Sequence, residues 1–371
     1  MLSRLPIARV MLAILIVWII IIGCGAHGKD YGMADTVRMT LDEVRSLATE
    51  VFTANGLSPA NAEIVAGVVT AAEADGTHSH GLFRVPGYVS CVTNGRVDGK
   101  AEPEVSDAAP GLAAVDAKNG FSPPAIVAGR ALAVEKAKAQ GIAALGLRNS
   151  GNLNALWWDV EQFAAAGLIA IAMSTTRSYV APWGGNKALF GTDPFAFACP
   201  RQGKSPMGFD FATSASARGE IQVAARRGHA IPEGWALDKD GKATTNPKAA
   251  LEGVQLPFGG HKGNALIIMV ELMAAGLTGG AFCFEAEKRA VDHGAADSGP
   301  AHAGEVIILI DPAGYHDAFL GRIEGLFDSI LAQEGTRIPG DRRYVARARS
   351  HEEGIDCPAA LYQQIVDMKT G

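Results

Sequence analysis

The run Asp75-Gly76-Thr77-His78-Ser79-His80-Gly81-Leu82-Phe83-Arg84-Val85-Pro86-Gly87-Tyr88 gathers two imidazoles, two aliphatic hydroxyls, a carboxylate and a guanidinium. A His beside a Ser can hold a proton near neutral pH, because imidazole titrates there and a hydroxyl can orient it. Arg84 follows His80 by four residues, one turn further on the same face if the segment is helical. From there its fork of donors can grip a carboxylate through two parallel hydrogen bonds. A proton donor with a carboxylate clamp about 6 Å away suits chemistry at the carbon next to a carboxylate. The same residues also read as a His-capped helix start with a surface Arg. The segment alone does not separate the two.

The elements that must position this run are mostly helical. Thr40-Leu41-Asp42-Glu43 is a capping box, and Leu41, Val44, Leu47, Val51 and Phe52 form a helical stripe behind it. Ser58-Pro59 opens a second helix that runs to about Ala74. Residues 40 to 100 are therefore expected to be a helical region. Strands are expected at Leu112–Asp116, Ile142–Leu147 and Leu168–Ser174, with helices at residues 121–140 and 156–166 between them. Further strand-like runs are Phe195–Ala198 and Gly208–Phe211, and Asp238-Lys239-Asp240-Gly241 reads as a hairpin loop. The hydrophobic breadth of Lys262–Leu277 implies a buried helix. Glu305–Ile310 reads as a strand and residues 317–333 as a closing helix. Helix-rich ends around a strand-rich middle give an α/β or α+β chain whose termini share one domain.

Two segments could hold a phosphate. Leu256-Pro257-Phe258-Gly259-Gly260-His261-Lys262-Gly263 sets a glycine turn, an imidazole and an ammonium at a helix start, where free N–H groups and the helix dipole favour an anion. Thr336-Arg337-Ile338-Pro339-Gly340-Asp341-Arg342-Arg343-Tyr344 supplies three guanidiniums around a Pro-Gly turn. Taken singly, each also reads as solvated surface charge. No G-x-G-x-x-G follows an expected strand and no Walker-type loop occurs, so a Rossmann dinucleotide site is unsupported.

The 371 residues are enough for two or three domains and a large core. With 48% hydrophobic and 19% charged residues the composition is that of a globular protein. A net charge of -6 with no basic stretch argues against a nucleic-acid partner. Five scattered cysteines without a Cys-x-x-Cys indicate neither a disulfide framework nor a zinc knuckle. Reduced, buried thiols in a cytoplasmic protein are expected, and no metal.

One segment departs from that picture. Arg4 and Arg9 precede the apolar run Val10 to Ile22, which ends in Gly23-Cys24-Gly25-Ala26. This is the pattern of an export signal, and Ile21-Ile22-Gly23-Cys24 resembles a lipoprotein processing site. The run is shorter than the roughly 20 residues of a spanning helix. A start codon placed too early, with Met33 as the working start, accounts for residues 1–32 and is the favoured expectation. A membrane or periplasmic location follows only if the leader is genuine.

The ordered set SHG…RVPGY, GTDP, DFATS, ARGEI, LPFGGHKG and RIPGDRR resembles the type-2 malate/L-lactate dehydrogenase family. The resemblance runs from about Met39 to about Asp367. Within the family the chain looks most like the Δ1-piperideine-2-carboxylate/Δ1-pyrroline-2-carboxylate reductases, through HSHG-L-F-R-V-P-G-Y and the GGHKG loop. The resemblance implies a non-Rossmann fold in which a mainly antiparallel sheet holds the nucleotide, and a homodimer. It implies a helical catalytic part over residues 39–115, a cofactor-binding domain over 116–300, and a C-terminal part over 301–371 that packs with the N-terminal region.

By motif, Ser79 and His80 correspond to the relay hydroxyl and proton donor, and Arg84 to the substrate-carboxylate clamp. The relay acid falls at Glu220, where close relatives carry Asp. Expected cofactor contacts are Asn152, Leu153, Asn154, Ala155 and Leu156, then Thr192, then Asp210, Phe211 and Ala212. His261 and Lys262 follow, with Arg337, Ile338, Pro339, Gly340, Asp341, Arg342 and Arg343. The Arg and Lys residues suit the 2′-phosphate of NADPH, with NADH possible. One departure stands out. After Asn149-Ser150, relatives usually carry two His and a Phe, whereas this chain has Gly151-Asn152-Leu153-Asn154. Asn152 can donate and accept hydrogen bonds but brings no charge. The expected activity is NAD(P)H-dependent reduction of a cyclic imino acid to L-pipecolate or L-proline. The alternatives are a 2-hydroxyacid dehydrogenase and a membrane-anchored binding protein without turnover.

Overall fold

The computed structural model describes residues 35–292 and 302–370; the apolar run Val10 to Ile22 and the expected cleavage site lie outside them. No helix among the described residues is long and apolar enough to cross a membrane.

Strand β1 (Thr36–Met39) leads into α1 (Leu41–Ala54) and α2 (Pro59–Ala74). Both helices start where their caps dictate. Thr40 Oγ1 accepts from the Glu43 N–H at 3.2 Å while the Thr40 N–H donates to Glu43 Oε2 at 2.7 Å, and Ser58 Oγ accepts from the Asn61 N–H. Caps of this kind contribute about 1 kcal/mol each. After two 3₁₀ turns comes α3 (Val85–Thr93), then strands β2 (Glu104–Ala109) and β3 (Leu112–Asp116). Helix α4 (Ser122–Gln140), strand β4 (Ile142–Ser150), helix α5 (Leu156–Ala165) and strands β5 (Ile169–Ser174), β6 (Phe195–Arg201) and β7 (Lys204–Phe211) follow.

A small lobe interrupts the order. It comprises α6 (Arg218–Arg227), β8 (Ala236–Leu237), β9 (Ala243–Thr244), α7 (Pro247–Glu252) and β10 (Val254–Gln255), packed on Ile221, Ile231, Ala236 and Ala250. The β8–β9 turn is the expected one, with Asp238 Oδ1 accepting from the Asp240 and Lys242 N–H groups. The chain continues through α8 (His261–Val270), a π-turn (Glu271–Gly276), α9 (Cys283–Asp292), β11 (Ala303–Ile310), α10 (Phe319–Leu331), α11 (Asp341–Glu353), β12 (Ile355–Pro358) and α12 (Ala359–Asp367).

The main sheet has the order β2-β3-β4-β11-β5-β6-β7, antiparallel throughout except for the β3–β4 pair that α4 connects. That parallel pair exists because a helix is long enough to carry the chain back to the same edge. Strand β11 alternates strictly. Ile307 and Leu309 face α4 and α5 with Leu145, Leu147 and Phe163, whereas Val306 faces Val270 and Ala274 on the opposite side. A second core joins α1, α2, α3, β12 and α12 around Val51, Phe52, Tyr88 and Ile365. Strand β1 pairs antiparallel with β12, Thr36 opposite Pro358 and Met39 opposite Ile355.

Three expectations differ from what forms. Residues 104–116 and 303–310, assigned to the terminal parts, are strands of the large sheet, and β11 lies at its centre. Strand β11 reaches apolar cores on both faces of the sheet and β3 adds Ala113 and Val115 to one of them, whereas β2 is exposed along its length. Residues 262–277 do form a helical rod, but it is not buried all round: Leu266, Ile268, Leu272 and Leu277 are exposed, the last at 65%. Last, the Arg-rich loop ends early, because Asp341 already begins α11.

Candidate active site

The SHG run does not continue helix α2. Asp75 caps that helix, and the chain makes two 3₁₀ turns, His78–His80 and Leu82–Arg84, with Gly81 between them. The cause is Glu73, a buried carboxylate at 4% exposure. Its Oε1 accepts from the Leu82 N–H at 2.7 Å, and its Oε2 is hydrogen-bonded to His78 Nδ1 at 2.6 Å. Arg84 therefore reaches back to the His80 side by a different route from the expected α-helical turn. Its Nε donates to the Ser79 carbonyl at 2.9 Å.

Ser79 Oγ is hydrogen-bonded to His80 Nδ1 at 3.1 Å, which leaves Nε2 as the outward nitrogen. Burial, and then the Arg84 charge, push the His80 imidazole down to about 4, so it is neutral at pH 7 before a ligand arrives. His78 moves the other way, raised by its hydrogen bond to Glu73. Burial lowers the proton affinity of the Arg84 guanidinium while Tyr88 and Tyr179 raise it, which places Tyr179 within reach of the clamp. Tyr179 itself stacks under Arg218, 4.1 Å from the ring centroid. Its N–H donates to the Phe190 carbonyl, immediately ahead of Gly191-Thr192.

Glu220, the expected relay acid, stands on α6. Its Oε2 accepts from the Ser216 hydroxyl at 3.0 Å, and no hydrogen bond joins it to His80.

The expected cofactor residues fall into two connected groups. In the first, the Thr213 N–H donates to the Thr192 carbonyl and the Phe258 N–H to the Thr213 carbonyl. These bonds draw GTDP, Ala212 and the glycine turn together. Gly259 and Gly260 take φ of 58° and 66°, and α8 begins at His261 with no side-chain cap. Its first N–H groups, with exposed His261 and Lys262, are a donor set for an anion.

In the second group, Asp210 Oδ2 accepts from the Trp157 N–H at 3.2 Å. The Gly208 N–H donates to the Pro339 carbonyl, which lays the Ile338-Pro339-Gly340 turn along β7, while Phe211 meets Phe258 edge-on at 5.9 Å. Burial raises Asp210 to about 6. Arg337 and Arg342 are exposed and Ile338 is buried. Arg343 is committed elsewhere: its Nη1 pairs with Asp75 at 2.7 Å and with Glu161 at 3.0 Å, and its plane lies 4.4 Å from Trp157. Asp341 likewise turns inward, accepting from the Ile338 N–H.

Residues 152–156 line a buried acidic pocket. Asn152 Nδ2 donates to Ser174 Oγ (3.0 Å) and to Glu305 Oε2 (3.3 Å), while Asn154 Nδ2 donates to both oxygens of Asp159. Leu153 packs on the terminal core, Ala155 caps α5 and Leu156 begins it. Burial raises Glu305 to about 8 and raises Asp159 as well, the latter also by the Glu305 charge. The buried Glu305 Oε1 and Trp157 Nε1 have no hydrogen-bond partner. The buried Trp157 indole N–H, without a partner beside the α5 start, and the uncapped α8 start are donors of the kind that the polar groups of a nicotinamide dinucleotide accept from. Sequence reading missed Glu73, Asp159, Tyr179, Glu305 and Arg347. Only Glu305 gave a signal, as a lone acid in an otherwise apolar strand.

A His-Ser pair and a guanidinium on one loop, with an uncapped helix start on a mainly antiparallel sheet frame, are parts that a nicotinamide-dependent oxidoreductase needs. The chain belongs to the malate/L-lactate dehydrogenase family, which it matches over residues 39–366. It is 45% identical over 338 residues to a Delta(1)-pyrroline-2-carboxylate reductase of Pseudomonas fluorescens, covering 90% of this chain and 99% of the relative. It is 47% identical over 335 residues to the Delta(1)-pyrroline-2-carboxylate/Delta(1)-piperideine-2-carboxylate reductase of Pseudomonas putida, covering 90% and 96%. The fold superposes on the crystal structure of delta1-piperideine-2-carboxylate reductase from Pseudomonas syringae pvar. tomato with a TM-score of 0.86 at 44% identity, over 90% of this chain and 100% of that one.

Proposed function

We propose that this protein reduces cyclic imino acids with NAD(P)H, taking Δ1-piperideine-2-carboxylate to L-pipecolate and Δ1-pyrroline-2-carboxylate to L-proline. The observation that carries the reading is Arg84 tied by hydrogen bond to the backbone of the Ser79–His80 pair, in a chain 45% identical to an imino acid reductase over 90% of its length.

Arg84 holds the substrate carboxylate through its free guanidinium edge, since Nε is already spent on Ser79. That sets the imine carbon and nitrogen beside His80. The bound cofactor supplies the hydride that adds to the imine carbon. His80 delivers a proton to the nitrogen from Nε2, because Ser79 holds Nδ1. A carboxylate on Arg84 cancels the second of the two influences that depress His80, so its proton affinity rises when substrate is bound. His261 and Lys262 at the α8 start hold phosphate, and Asn152 and Asp210 frame the α5 side. NADPH is the favoured cofactor because Arg337 and Arg342 are exposed beside the Pro339–Gly340 turn. Exposed Leu266, Ile268, Leu272 and Leu277 support a homodimer, since apolar side chains in that number on one rod favour a protein partner.

The test is turnover of purified protein on both imines and on pyruvate with each cofactor. Rapid pyruvate reduction without imine reduction would replace this reading by a 2-hydroxyacid dehydrogenase.

A further inference from the structure

We propose that Glu73 is the positioning residue of the catalytic loop, acting through the Leu82 N–H and His78 to hold Ser79, His80 and Arg84 in one arrangement. The proposal rests on the reading of His80 and Arg84 given above and adds a residue that touches neither substrate nor cofactor.

Glu73 sits in the last turn of α2, buried at 4% exposure, an unfavourable place for a carboxylate unless its oxygens are used. Both are. One takes the Leu82 N–H and the other meets His78 Nδ1, so the carboxylate spans both 3₁₀ turns. Gly81 lies directly against it, and a Cβ there would run into the carboxylate oxygen. Gly81 takes φ of −89° and ψ of −136°, so close approach, rather than a left-handed backbone, is what excludes a side chain. His78, with half its side chain exposed, shields the outer oxygen. The His80 N–H and the Arg84 N–H donate to Thr77 and Gly81 carbonyls, so the two active groups hang from backbone that the carboxylate fixes at each end. Charge-assisted bonds to a buried carboxylate are stronger than neutral ones and give the loop a single geometry.

The test compares Glu73→Gln, Glu73→Ala and Gly81→Ala in the full-length protein. Two readouts are used: kinetics on Δ1-piperideine-2-carboxylate with NADPH, and titration of His80 by NMR of ¹³C-labelled histidine. Glu73→Ala should lower kcat by roughly tenfold or more and raise KM by a similar factor, because the proton donor and the clamp move together. Glu73→Gln, which keeps an acceptor for Leu82, should recover most of both. The His80 midpoint, near 4 in the wild type, should rise toward the ordinary imidazole value in Glu73→Ala as the ring leaves its buried place beside Arg84. If Glu73→Ala does not fold, Gly81→Ala displaces the same loop while leaving α2 intact and should show the same losses. Folded Glu73→Ala or Gly81→Ala with wild-type kcat, KM and His80 midpoint overturns the proposal. So does Glu73→Gln as damaged as Glu73→Ala. The NMR titration needs no substrate. A wild-type protein inert on imines would therefore sink the functional reading and leave the clamp to be judged on His80 alone.

Discussion

Arg84 Nε donates to the carbonyl oxygen of Ser79 at 2.9 Å, so the cation we propose as the carboxylate clamp is anchored to the backbone of the residue whose hydroxyl meets His80. Lysine has no second nitrogen with which to keep that anchor while binding a carboxylate. Arg84→Ala should raise KM about 30- to 150-fold, the effect of losing roughly 2–3 kcal/mol of charge-assisted hydrogen bonding. Arg84→Lys should recover only part of it. Unchanged KM in both variants would assign Arg84 a surface role.

His80→Ala should lower kcat by about a hundredfold or more while cofactor binding, followed by fluorescence, stays near wild type. The pH profile is the sharper measurement. With the free-enzyme imidazole at about 4, the protonated fraction falls tenfold per unit above that value, so kcat/KM for imine reduction should decline with rising pH from the acid side. In the complex the carboxylate offsets Arg84, so the corresponding limb in kcat should lie at higher pH. Coincident limbs would mean that Arg84 does not tune His80.

Gly151 and Asn152 replace the family's usual pair, but they are not equivalent positions. A Cβ at Gly151 would stand 2.7 Å from Val97 Cγ2 and 3.4 Å from the Phe121 ring. Gly151→Ala should therefore destabilise the protein by about 1–3 kcal/mol, read as a lower Tm, and His there should be worse. Asn152→His, beside Glu305, is the variant that should tighten NAD(P)H. The gain should be larger at pH 6 than at pH 8 and smaller in high salt. Equal affinity at every pH would make Asn152 a working substitute.

The arginines of the RIPGDRR segment should separate by role. Replacing exposed Arg337 and Arg342 by Gln should weaken NADPH more than NADH, measured as two dissociation constants. Arg343→Met should act on folding instead, because it withdraws a partner from Asp75, which has no exposed side-chain surface, and from Glu161. Arg347 still pairs with both acids, so the loss should fall short of the roughly 3–5 kcal/mol of a fully broken buried pair. A larger NADPH effect from Arg343 than from Arg337 would reverse this assignment.

Much of the scaffold was legible because it obeys local rules. Thr40 and Ser58 announce α1 and α2, and the unbroken apolar run Val306–Ile310 announces β11. What stayed hidden depends on distant partners. Strands β1 and β12 are four residues each, too short to show a period, and exist because they pair with each other. Helix α11 carries Arg342-Arg343-Tyr344 through His351 with hardly an apolar stripe. It is held by Arg343 and Arg347 gripping Asp75 and Glu161. In the site, Ser79, His80 and Arg84 could be read from their types and spacing. Glu73 looked like an ordinary helix charge in an Ala-rich stretch, since nothing local tells that its carboxylate is enclosed.

The β1–β12 pairing also sets an order of events during synthesis. Met39 bonds in register with Ile355, so the layer beneath the N-terminal helices is completed only once that distant strand has been made. At roughly 5–20 residues per second, the first segment waits on the order of tens of seconds for its partner strand. The central sheet has its own core and can condense before the final segment is released. The Ser79–His80–Arg84 loop belongs to the part that closes last. A growing chain would thus carry a formed central sheet well before it carries a finished Ser79–His80–Arg84 loop.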